Sequence, residues 1–99
     1  MKSLQQPPTH TNCPIQKLTE ILSDGWTILI IRDLLIEPKR FCELEKSLAG
    51  ISTRTLTLKL TKLTEEHVVD HNEHLYSLTE KGKQLKPIIR AMEKVGETI

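Results

Sequence analysis

Between Ile51 and Leu63 the chain reads ISTRTLTLKLTKL, in which Ser52, Thr53, Arg54, Thr57, Lys59, Thr61 and Lys62 are all hydroxylic or basic. No acidic residue falls between Gly50 and Glu65. Hydroxyls donate and accept hydrogen bonds while guanidinium and ammonium groups attract negative charge, so this set suits recognition of an anionic, hydrogen-bonding surface. From Lys39 to Lys62 the basic residues Lys39, Arg40, Lys46, Arg54, Lys59 and Lys62 are set against Glu43 and Glu45 alone. The whole chain has a formal net charge of +1. Positive charge is therefore concentrated in one stretch, as phosphate binding requires.

Those side chains need a rigid carrier. Leu56, Leu60 and Leu63 recur at helical spacing and predict a helix over Ile51 to Leu63, with one side in the core and the other polar. Ser52 is a natural N-cap because its hydroxyl accepts from an otherwise orphaned backbone N–H. Gly50 can take the left-handed conformation that ends a preceding helix starting near Phe41. Helix, tight turn and capped helix is the helix-turn-helix pattern. Any helical hairpin needs the same stop, cap and amphipathic helix, so the rest of the chain must decide.

Ninety-nine residues make one domain. Met1 to Asn12 has paired prolines and no periodicity and predicts a flexible arm, which leaves 13–99 as the domain. Cys13 and Pro14 open a helix with Ile15, Leu18, Ile21 and Leu22 apolar, and Ser23-Asp24-Gly25 breaks it. Trp26 to Ile36 is almost continuously apolar. Its length and the Arg32-Asp33 pair predict a buried helix with Trp26 as a core anchor, ended by Glu37-Pro38. Val68-Val69 and Leu75 to Leu78 predict a two-stranded hairpin around Asp70 to His74. Thr79 caps a last helix carrying Leu85, Ile88, Ile89, Met92 and Val95, bent by Pro87 well inside it. Nothing later in the chain covers that apolar side, so a second copy of the chain is the economical partner.

Seven ordered pieces now stand together: Cys13-Pro14, Gly25-Trp26-Thr27 followed by ILIIRDLL, Arg40-Phe41, Gly50-Ile51-Ser52, Arg54-Thr55-Leu56, Tyr76-Ser77-Leu78-Thr79-Glu80-Lys81-Gly82 and Leu85-Lys86-Pro87. Over about Cys13 to Gly96 the chain resembles the HxlR-type regulators. The resemblance implies a mainly α fold with a small β-hairpin, a winged helix-turn-helix of MarR/HxlR-like type with a long terminal dimerisation helix. It implies a sequence-specific transcriptional regulator that binds a palindromic operator in double-stranded DNA as a homodimer joined through its first and last helices. In that setting Ser52, Thr53, Arg54 and Thr57 stand at the major groove. Leu58 either meets a thymine methyl or packs on the wing, and Lys39, Arg40, Lys59 and Lys62 hold phosphates. Three positions depart from the family: Gly25 replaces a basic residue before the tryptophan, the wing tip Asp70 to His74 is shorter and lacks arginine, and Val95 replaces an aromatic. The acidic wing favours an alternative, a winged-helix module for protein interaction and dimerisation.

Cys13 and Cys42 are too few for a disulfide scaffold. Cys13 at a helix N-terminus, and Cys42 in an N-cap slot beside Lys39 and Arg40, sit where the helix dipole favours thiolate. Many of the resembling proteins keep a cysteine at the Cys13 position, and some use it as a thiol sensor. Both residues are redox-sensing candidates, against the plainer reading of small packed fillers. His10 with Cys13, and His71 with His74, have metal-compatible spacing but no third cluster to complete a tetrahedral site, so no metal or cofactor is expected. No phosphate-cradling glycine loop or nucleophile elbow is present, and an enzyme is not expected. No apolar run is long enough for a membrane span, and no signal-peptide core follows Met1, which predicts a cytoplasmic protein with no membrane partner. The inducer has no signature in the sequence.

Overall fold

The computed structural model describes residues 13–99, so the expected arm and His10 lie outside the described residues. Helix α1 spans Pro14–Ile21, α2 Gly25–Ile36, α3 Phe41–Ser47 and α4 Thr53–Glu65. A sheet follows from β1 (Lys39–Arg40), β2 (Val69–Asn72) and β3 (Leu75–Leu78), and the chain ends in α5 (Glu80–Lys83) and α6 (Lys86–Glu97). The apolar run after Trp26 is indeed a helix, and it lies at the centre. Ile30, Ile31 and Leu34 of α2 are buried among Leu44 and Leu48, Leu56, Leu60 and Leu63, Val68, Val69 and Leu78, and Leu85 and Ile89. Trp26 is half-buried against this core. Asp33 is buried within it, its Oδ1 accepting from Arg32 Nε and Nη2 at 3.2 and 2.9 Å.

The sheet is antiparallel with order β1-β3-β2. Its third strand was not expected, because two residues are too few to show an alternation. Residues Asp70 to Asn72 continue β2 instead of forming the turn, and the register Asn72↔Leu75 leaves Glu73-His74 as the loop. Glu73 turns the chain at φ 56. The last helix also departs from expectation. Pro87 does not bend one long helix; it stands in the first turn of α6, where its missing N–H costs nothing, and Gln84-Leu85 separates α5 from α6. Gly82 of α5 is packed so tightly that a Cβ there would overlap the Val68 carbonyl.

Helix α4 is fixed at both ends. Ser52 Oγ accepts the Thr55 N–H at 3.0 Å, as the cap reading requires, and Gly50 takes φ +95 in the preceding turn. At its other end the Val68 N–H reaches the Leu63 carbonyl at 3.0 Å and the His67 N–H the Thr64 carbonyl at 3.1 Å. This is a Schellman ending, with His67 at φ 62 in the position glycine usually takes.

Candidate nucleic-acid interface

With Leu56, Leu60 and Leu63 buried, α4 turns Thr53, Arg54, Thr57, Leu58 and Thr61 to the surface. Leu58 is 57 % exposed, so it does not pack away against the wing. The hydroxyls are partly committed. Ser52 donates to Thr55 Oγ1 at 2.9 Å, and Thr53 donates to Glu45 Oε2 at 2.6 Å, which ties the start of α4 back to α3.

One flank of this face opens into a groove of about 610 Å³ between α4, the start of α3 and the hairpin. Arg40, Cys42, Thr57, Thr61, His71, His74 and Tyr76 line it. Tyr76 is the middle of a cross-strand row, paired with Lys39 on one side and His71 on the other. The rings of His71 and Tyr76 stack with centroids 3.9 Å apart and planes 8° from parallel. Burial pushes the Tyr76 phenol above its ordinary value, so it stays neutral. Arg40 is exposed, whereas Lys39 keeps only 18 % of its side-chain surface and lies 3.5 Å from Glu37.

The other flank of α4 lies beside α1 and the start of α2. Lys59 Nζ donates to Asp24 Oδ2 at 2.6 Å and Lys62 Nζ to the Glu20 carbonyl at 3.4 Å. The basic residues of α4 are thus divided: Arg54 is exposed on the outer face, Lys59 is half-buried in its ion pair with the N-cap of α2, and Lys62 is exposed beside α1. Asp24 is also the N-cap of α2, its Oδ1 accepting the Thr27 N–H at 2.9 Å. Burial alone would raise its carboxyl, but the Lys59 ammonium and the Thr27 N–H outweigh that and hold it below its ordinary value of 3.8.

The cysteines are separated. Cys42 lines the groove but is not an N-cap: Arg40 holds that position, its backbone N–H donating to Glu43 Oε1 at 2.7 Å, and Cys42 is the second residue of α3. Cys13 is the N-cap of α1, exposed, with its carbonyl accepting the Lys17 N–H at 3.1 Å. Among the described residues no group of three His, Cys, Asp or Glu side chains is placed to hold a metal, and no helix is long and apolar enough to cross a membrane. Sequence reasoning missed Asp24 and Tyr76. Asp24 reads only as part of a loop, and Tyr76 gains its neighbours from strand register, Lys39 from the unexpected β1 and His71 from a β2 longer than expected.

The family profile of HxlR-like helix-turn-helix proteins matches residues 21–99. The uncharacterized HTH-type transcriptional regulator YvaP of Bacillus subtilis is 39 % identical over 90 residues, covering 83 % of this chain and 83 % of its own. Among solved structures, quinone-bound YodB from B. subtilis superposes with a TM-score of 0.79 at 31 % identity, covering 88 % of this chain and all of its own. The redox regulator HypR in its reduced form gives a TM-score of 0.81 at 29 % identity, over 86 % of this chain and 91 % of its own.

Proposed function

The chain belongs to the HxlR-like helix-turn-helix family and is a DNA-binding transcriptional regulator, and we propose that it acts in the cytoplasm as a homodimer on a palindromic operator. The observation that carries the DNA contact is the outer face of α4, where Arg54, Thr57 and Leu58 stand exposed with no carboxylate among them. An arginine suits a guanine edge, a threonine either a base or a phosphate, and a leucine a thymine methyl. Arg40 beside the groove supplies a phosphate contact. The dimer reading is supported by α6, on which Met92 and Val95 are 45 % and 59 % exposed on the side that continues from buried Ile89. A two-fold pairing there sets two α4 helices for successive major grooves, about 34 Å apart.

The test uses DNA selected by retention on the pure protein. Arg54→Ala is expected to cost about 1–3 kcal/mol on the selected site and much less on random DNA, whereas Arg40→Ala weakens both alike. Equal losses on both DNAs for both variants would remove the recognition helix, and failure to retain any DNA would favour the protein-interaction module.

A thiol response is the second element of the reading. Cys13 is exposed as the N-cap residue of α1, and HypR is a redox regulator of the same fold. Oxidant should change the operator affinity of the wild type and not of Cys13→Ser; equal shifts would exclude Cys13 as the sensor.

A further inference from the structure

From Val69 to Leu78 the wing contains no lysine or arginine. The side chains there that can become cationic are His71 and His74, and both line the groove shared with Thr57 and Thr61 of α4 and with Arg40. His71 is held flat against Tyr76 at 3.9 Å, so its orientation is set by the sheet. A neutral imidazole offers one N–H donor, an imidazolium two donors and a charge, and an imidazolium remains well placed over a tyrosine face. We propose that the wing binds a DNA backbone phosphate through the protonated forms of His71 and His74 alongside Arg40, so that operator binding takes up protons. This deepens the regulator reading and rests on it.

The phosphate, and not the protein surroundings, gives the sign. The carboxylates around the two imidazoles are Asp70 and Glu73 on the wing itself and Glu65 of α4, which lines a small adjoining hollow with His71 and Tyr76. The cations are Arg40 and Lys39 of β1, and the Tyr76 phenol is neutral. Cys42 of α3 is the remaining titratable group at the groove. All of these are present with and without DNA. The phosphate is added only in the complex, and an anion beside an imidazole favours its charged form. The bound state therefore has the higher histidine pKa. Affinity is greatest at low pH and declines as pH rises through the values of the complex.

The experiment is binding of the full chain to a retained duplex at constant ionic strength, from about pH 8 to about pH 6. Each histidine whose pKa rises by one unit on binding should contribute up to about tenfold in affinity across that range. The double variant His71→Gln/His74→Gln should hold the weak, high-pH affinity throughout. His71→Arg/His74→Arg, with permanent charge, should bind at high pH about as tightly as the wild type does at low pH, and an unchanged melting curve would show both variants folded. A flat wild-type profile overturns the proposal, as does a slope that survives in the glutamine variant, since the protons would then enter elsewhere, at His10, His67 or the terminal amine. Either result leaves DNA binding intact, whereas no retention at any pH would overturn the regulator reading itself.

Discussion

Asp24 joins two helices through two different oxygens, and the two roles can be separated. Its Oδ1 caps α2 through the Thr27 N–H at 2.9 Å, and its Oδ2 takes the Lys59 ammonium at 2.6 Å. Asparagine caps as well as aspartate but carries no charge, so Asp24→Asn removes only the ion pair and Asp24→Ala removes both. With about 30 % of each side chain still exposed, the pair should contribute roughly 0.5–1 kcal/mol. The cap adds about 1 kcal/mol. Asp24→Ala should therefore cost about 2 kcal/mol and Asp24→Asn about half that. At roughly 4–8 °C per kcal/mol for a domain of this size, thermal melts at one protein concentration will resolve the two variants. The pH dependence has a definite sign. Asp24 is depressed in the folded state, so its charge stabilises above the unfolded carboxyl value, and that contribution is lost as pH falls through the folded one. The gap between wild type and Asp24→Asn should be constant near neutrality and close below about pH 4. Equal costs for the two variants would refute the separation, and a gap that widened in acid would refute the charge assignment.

Three further outcomes follow from the geometry. His67→Gly removes a left-handed non-glycine residue costing about 1–2 kcal/mol, offset by roughly 0.4–1 kcal/mol of added freedom in the unfolded chain; urea denaturation should show a net gain of about 0.5–1 kcal/mol, with no such gain for His67→Ala. Gly82→Ala drives a methyl into the Val68 carbonyl and to 3.0 Å from Leu78 Cδ2, and should destabilise by about 2–3 kcal/mol in the same assay. Met92→Glu/Val95→Glu places two charges on the apolar side of α6, and if α6 forms the proposed dimer interface, light scattering should find a dimer for the wild type and a folded monomer for this variant.

The recognition helix was readable because three independent signals agree on it: a leucine period, a serine cap and a glycine stop each fix the same element. The burial of α2 followed from the length of its apolar run. What escaped the sequence depends on partners distant along the chain. β1 is strand only because β3 lies beside it. On its other edge β3 pairs with β2, which extends β2 to Asn72 and sets His71 beside Tyr76. Pro87 reads equally well as a kink or as a helix start, and the choice rests on where Leu85 and Ile89 meet the core. His67 hides the end of α4 because the usual glycine signal is absent there.

The division of charge on α4 bears on how many phosphates the protein can neutralise. Read along the sequence, Lys39, Arg40, Lys59 and Lys62 form one set of clamps. In the fold, Lys59 would have to leave a 2.6 Å ion pair to reach a phosphate, exposing the Asp24 carboxylate as it went, and Lys39 is largely buried beside Glu37. Arg40 and Arg54 carry no such cost. Each phosphate neutralised adds about 0.9 to the dependence of log affinity on log salt. Arg40→Ala should therefore lower that slope by about one contact, while Lys59→Met leaves it unchanged and reduces stability instead. A loss of slope in Lys59→Met equal to that in Arg40→Ala would mean that the ion pair opens on DNA, with Asp24 acting as a latch on the recognition helix and not as a fixed strut.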